Sequence, residues 1–250
     1  AEAHANLGNI LKHFGKFQDA ETSYRKAIEL KPDYADAHFN LSLLELLKGN
    51  YQSGLENYEF RFKTKKATNV HGKTTLKRVN HQTLHKGEKL LVISEQGLGD
   101  TLQYMRYIPH IRSQGINVSF SAQTKLHSLI QASDIDPQPL TPEEASTVSE
   151  GKWIPLLSLP RYLKVTPGNP IINQPYIYST NELNQKWKDI LSQEKRPIVG
   201  LNWQGNPAME KSLYKGRSIP LETFSKLFER NEIKMLSLQK GFGSEQLNHC

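Results

Sequence analysis

A set of small and aromatic residues near the start of the chain recurs with a period of 34 residues. His4, Leu7, Gly8, Leu11, Ala20, Tyr24, Ala27 and Pro32 make up the first set. His38, Leu41, Ser42, Gly54 and Tyr58 follow at the same spacing. Such a period calls for a stacked pair of helices. Gly8 and Ala20 are small where the two helices of the first pair cross. Tyr24 and Ala27 lie one turn apart on the packed face. Gly15 closes the first helix and Pro32 stops the second. Gly49-Asn50 repeats the turn of Gly15-Lys16. The pattern then decays, with Arg61 in the place of Ala27 and Lys66 in the place of Pro32.

The spacing resembles the tetratricopeptide (TPR) repeat. One clean and one degenerate repeat are expected over residues 1–66. Repeats of this kind stack and offer a concave surface to a protein partner. Two of them also suffice merely to cap or brace whatever follows. Arrays usually need about three repeats, so upstream repeats or packing on the next domain are both open.

The next stretch, 67–88, is rich in lysine and poor in acid, and reads as a basic linker. Over its 250 residues the chain carries a net charge of +7, with 37% hydrophobic and 23% charged residues. That composition fits a globular chain with a real core. The charge favours acidic partners: nucleic acid, anionic membrane or phosphorylated small molecules. The linker has almost no aromatics to stack bases, so no nucleic-acid partner is expected. No apolar run has the length of a membrane span. The lone cysteine, Cys250, gives no disulfide framework and no cysteine metal site, and a reducing, cytoplasmic setting is expected.

Beyond the linker the pattern changes to α/β. Lys89–Ser94 has strand length. Glu95-Gln96-Gly97-Leu98-Gly99 is a glycine turn. Asp100 with Gln103 reads as a capping box, placing Asp100 at the N-cap of a helix. Leu102, Met105, Ile108 and Ile111 carry the helical period, interrupted by Pro109, and Asn117–Ala122 is the next strand. Strand, glycine turn, helix and strand make one βαβ unit. Trp153–Leu157 is another candidate strand. A helix is expected over 181–193 with Leu183, Trp187, Ile190 and Leu191 on one face. A second unit follows: a strand over 197–203, the turn Gln204-Gly205-Asn206-Pro207, a helix from Pro220 burying Phe224, Leu227 and Phe228, and a strand over 234–239. Two parallel strands leave bare edges, so this second lobe is expected to be incomplete as written.

Several groups are candidates for chemistry. Gly97-Leu98-Gly99-Asp100 lacks the third glycine of the dinucleotide fingerprint and the lysine of a P-loop. It is a tight turn with a cap, or a mouth where a substrate approaches the backbone and Asp100 takes a proton. Trp203-Gln204-Gly205-Asn206 with Arg217 is a polar surface loop, or a loop for a sugar–phosphate ligand. His81 and His85 have metal-ligand spacing but lack the accompanying glutamate. Asp134 and Asp136 resemble an acidic pair that holds a metal–nucleotide, but sit in a Pro-rich loop. Glu59 and Arg61 read as a helix-surface or domain-junction pair. No metal site is expected.

Three segments together resemble bacterial TPR proteins fused to a heptosyltransferase-like glycosyltransferase. They are Glu95–Gln103; Gly200–Pro207 with Arg217–Pro220; and Leu236–Gln239. Tyr58-Glu-Phe-Arg-Phe62 is similar to that family's junction after the repeats. The resemblance implies a GT-B architecture with a first Rossmann-like lobe over 89–180, then a linker helix and a partial second Rossmann-like lobe over 181–250. It implies sugar transfer from a nucleotide-sugar, as donor substrate and without a cofactor, to a protein or glycan acceptor. By position Asp100 becomes the catalytic base. Gln96, Gly97, Gly99, Trp203, Gln204, Gly205, Asn206, Arg217, Ser218 and Gln239 become substrate-binding residues. Arg217 is favoured over Lys211 and Lys215 as the partner of the leaving diphosphate. The rival reading is a TPR interaction module beside an inactive or incomplete transferase-like domain.

Overall fold

The computed structural model describes residues 1–207, 218–228 and 231–249. They form two compact units, Ala1–Thr180 and Asn181–Cys250. The first unit begins with two helical hairpins: α1 (Glu2–His13) with α2 (Phe17–Leu30), and α3 (Ala35–Leu47) with α4 (Tyr51–Tyr58). Gly8 explains itself sterically, since a Cβ there would lie 2.5 Å from the Tyr24 ring. Ala20, Tyr24 and Ala27 are fully buried. Both hairpin turns are Schellman closures. Gly15 and Gly49 take φ of +72° and +82°, where a Cβ is strained. Lys16 N–H donates to Leu11 O, and Asn50 N–H to Glu45 O. Lys31, ahead of Pro32, is extended and ends α2. Leu7, a member of the repeat spacing, is 46% exposed.

The second hairpin ends early. The chain leaves α4 in a 3-10 turn over Glu59–Phe62. Arg61, in the place of Ala27, leaves the repeat and enters the α/β part of the same unit. That part is a parallel sheet in the order β1-β4-β2-β3, made of β1 (Lys77–Arg78), β2 (Lys89–Ile93), β3 (Asn117–Ser121) and β4 (Lys152–Pro155). Leu90 to Ile93 are all buried, as a central strand covered on both faces requires. The basic stretch is not a free linker. It supplies β1, its Val79 and Leu84 enter the core, and Val79 N–H donates to Trp153 O.

The helix after β2 is two helices, α5 (Leu98–Tyr104) and α6 (Tyr107–Ser113). Pro109 has no N–H to donate to Met105 O, four residues back, and its ring would clash there. The chain therefore resets at Met105 and Arg106, and Pro109 falls in the first turn of α6. Met105, Ile108 and Ile111 are buried as the period predicts. After β3 come α7 (His127–Ala132) and, behind β4, the short α8 (Leu159–Tyr162).

The second unit contains α9 (Asn181–Leu191), β5 (Ile198–Leu201), α10 (Ser225–Phe228) and β6 (Lys234–Ser237). β5 and β6 pair in parallel as a two-stranded sheet. Leu183, Trp187 and Ile190 do share a face, but it is exposed. Leu227 and Phe228 are also exposed, at 37% and 39%, and Leu221 is the buried residue of that segment. Two short strands offer too little apolar face to cover both helices. Among the described residues no helix is long and apolar enough to cross a membrane.

Candidate functional site

The glycine turn leaves β2 at its carboxyl end, where parallel α/β sheets open towards ligands. Ser94 and Glu95 follow β2 directly and are fully buried. Gln96 then takes a φ of +61°, a left-handed conformation that costs a non-glycine residue about 1 kcal/mol. It is held by its side chain, whose Nε2 donates to the Tyr58 hydroxyl at 2.8 Å. Tyr58 is the last residue of α4, so the repeat scaffold touches the turn directly.

The helix cap differs from the expected one. Gly97, not Asp100, is the N-cap of α5. Asp100 lies three residues further on, and its Oδ2 accepts the Gly97 N–H at 2.9 Å. Glycine has no side chain to complete a reciprocal box, so half of the motif remains: a carboxylate in the first turn, favoured by the helix dipole. The other oxygen, Oδ1, forms no hydrogen bond among the described residues, and the side chain is half-buried at the mouth. Gly99 is open all round its Cβ position. Across the mouth, Thr101 Oγ1 donates to Gln123 Oε1 at 2.9 Å. Burial raises the Tyr58 hydroxyl above its ordinary range and pushes the Tyr104 hydroxyl up to about 12. Both stay neutral donors at physiological pH.

Beneath the turn lies a charge cluster that the sequence pattern only hinted at. Arg61 is fully buried, and its Nε and Nη2 donate to the two oxygens of buried Glu95 at 3.0 and 2.7 Å. Its remaining N–H groups reach Tyr58 O, Glu59 and Ser158 Oγ. The guanidinium sits between the rings of Tyr58 and Phe62, 4.5 and 4.2 Å from their centres. Glu59 also accepts from Arg78 and from Ser158. Burial alone would push the Glu59 carboxyl up, but Arg61, the Ser158 hydroxyl and Arg161 outweigh it and hold it below the ordinary carboxylate value. The expected junction pair is thus the core of the junction, with Glu95 as the member that sequence reasoning missed.

In the second unit the expected ligand loop gathers at the carboxyl ends of β5 and β6, and its side chains hold one another. The Trp203 indole is 3% exposed, and its N–H donates to Gly243 O at 3.2 Å. Gln239 Oε1 accepts the N–H groups of Trp203 and Gln204, and its Nε2 donates to Gln204 O and Phe242 O. Ser218 Oγ accepts the Gly205 N–H, and Gln204 Oε1 accepts from Gln246. Asn206 stands exposed at the loop's edge. Lys211, Lys215 and Arg217 lie outside the described residues.

The other candidates separate from these loops. His81 and His85 lie in irregular chain, not on a helix, and His81 Nδ1 faces the Arg161 guanidinium. Asp136 is buried against Arg112 and caps the Gln138 N–H. Among the described residues no three His, Cys, Asp or Glu side chains converge as metal ligands.

Residues 1–34 match the tetratricopeptide repeat family. No curated protein matches the chain. The TPR match covers the clean first repeat, α1 and α2. It supports a protein-interaction module at this end of the chain, joined to a mixed α/β part with a small parallel sheet.

Proposed function

We propose that the protein is a scaffolded, metal-independent glycosyltransferase of the GT-B, heptosyltransferase-like type. On this reading 89–180 is the acceptor lobe, 181–250 belongs to the donor lobe, and the TPR hairpins hold a protein or glycan acceptor. The observation that carries it is Asp100. A carboxylate with one oxygen tethered to the glycine turn and one without a protein partner stands at the carboxyl end of a central parallel strand. That free oxygen is suited to accept the proton of an acceptor hydroxyl. The hydroxyl oxygen then attacks the anomeric carbon as the bond to the nucleoside diphosphate breaks. The leaving diphosphate takes the bonding electrons, and Arg217 is the cation assigned to it. The internally bonded Trp203 and Gln239 fit the role of holding the donor loop in shape, with backbone and Asn206 facing the ligand.

The test is titration of the protein with UDP-, GDP- and ADP-sugars, followed by transfer or donor hydrolysis in wild type and Asp100→Asn. A general base contributes roughly 10²–10⁴-fold, so the variant should lose that much turnover and keep donor affinity. Absence of binding to all three donors, or unchanged turnover in the variant, sinks the assignment.

The mutual engagement of Trp203, Gln204, Ser218 and Gln239 favours a second reading, an interaction module whose α/β part is structural. It expects a protein partner bound equally by wild type and Asp100→Asn, and lost when exposed Leu43 and Leu47 of α3 become glutamate. Retained binding in that pair excludes it.

A further inference from the structure

A cleft of about 680 Å³, lined by both polar and apolar residues, lies on the first unit between α4 and the segments around residues 80–83 and 161–166, and none of its lining residues belongs to the Asp100 turn. The size suits a small organic ligand. Its lining includes Glu56, Asn80, His81, Gln114, Arg161 and Lys164. Two of these are basic and one is acidic.

Arg161 is the anchor. Its side chain is 6% exposed, yet its five N–H donors are poorly used. Nη2 donates to Asn80 O at 2.6 Å. Nη1 has a 3.2 Å bond to His81 Nδ1 and a long 3.4 Å contact to Glu56. Nε is buried and has no hydrogen bond, with the Glu59 carboxylate 3.8 Å away. A guanidinium this buried gains most from a full set of charged acceptors. Its neighbour Arg61, by contrast, has all five donors engaged. Arginine only donates, so His81 Nδ1 accepts and Nε2 carries the proton. Lys164 takes a φ of +54° straight after α8, a position that favours glycine, and so keeps a cation at the cleft at a conformational cost. Glu56 is 52% exposed and makes the longest of the hydrogen bonds at Arg161.

We infer that this cleft is an anion site for a phosphomonoester of a small polyhydroxylated molecule. The phosphate displaces Glu56 from Nη1 of Arg161 and pairs with Lys164. His81 and the amides of Gln114 and Asn80 serve the phosphate edge and the hydroxyls. This site is separate from the proposed transfer site and does not depend on that reading.

The test uses inorganic phosphate, glycerol 3-phosphate and glycerol as probes in calorimetric titrations of the whole protein. Glycerol 3-phosphate should bind saturably and more tightly than inorganic phosphate, and glycerol should not bind. Equal affinity for the two anions points to a bare phosphate pocket and overturns the assigned class. Lys164→Glu should weaken binding roughly ten-fold or more, the loss expected when an attractive charge beside the anion becomes a repulsive one. Arg161 braces the junction, so Glu56→Gln is the decisive variant. It removes the competing carboxylate from a half-exposed site, and binding should tighten by roughly three- to ten-fold. Unchanged or weaker binding in Glu56→Gln, or no saturable binding in wild type, overturns the inference.

Discussion

Replacing Arg61 by methionine removes the one cation that faces both oxygens of Glu95. Glu95 is then left buried with only the Leu157 N–H, which donates at 3.1 Å. Breaking a buried pair from one side costs about 3–5 kcal/mol, because the surviving charge keeps its desolvation penalty. The Ser158 hydroxyl loses a donor as well. Glu59 is less affected, since Arg78 still donates to it at 2.6 Å. The loss should therefore trace mainly to Glu95. Adding Glu95→Gln removes that charge but keeps an oxygen for the Leu157 N–H, so the double variant should recover at least about half of the loss. Hydrogen exchange in β2 reads the first unit without interference from the second. Where reclosing outpaces exchange, so that protection reports the opening equilibrium, loss of 3 kcal/mol speeds exchange of the Leu91–Ile93 amides by roughly a hundred-fold or more. Exchange in Arg61→Met within about five-fold of wild type, or a double variant no better than the single one, would refute the argument that the junction rests on this pair.

The TPR hairpin and the glycine turn allow opposite tests of one substitution type. Gly8→Ala puts a Cβ 2.5 Å from the Tyr24 ring and should destabilise the hairpin by about 1–3 kcal/mol, read as a lower melting temperature by circular dichroism. Gly99→Ala meets nothing within 4 Å inside α5 and should stabilise by about 0.4–1 kcal/mol; a loss there contradicts the open geometry. The depressed Glu59 carboxyl makes the junction acid-sensitive. Its folded value lies below the unfolded one of about 4.3, so its contribution is present above that pH and lost as pH falls through the folded value. Glu59→Gln should flatten the acid limb of the stability profile, and an unchanged limb tells against the assignment.

Local chemistry was legible in the residues themselves. The 34-residue spacing, the two glycine closures and the stop at Pro32 need only neighbours within a turn or two of helix. So does the strand–glycine–helix order around Gly97. The break between α5 and α6 follows from Pro109 alone, although the sequence signals an interruption without saying where the helix resets.

Contacts across long separations decided the rest. Arg61 reads as decay of the repeat because nothing near it names Glu95, 34 residues on, or Ser158, 97 residues on. Asp100 reads as an N-cap until the backbone shows Gly97 in that place, which turns the carboxylate back on the turn and leaves its second oxygen open. The basic stretch reads as a solvated linker, since its two-residue strand is too short to carry a period and is fixed only by pairing with β4. Trp203 and Gln239 read as ligand groups because an indole and an amide serve a ligand and a loop equally well. Sequence determined which elements form, because helix and strand periods are local. Tertiary structure decided which polar groups those elements leave free, because a buried charge or amide is satisfied by whatever the fold brings to it.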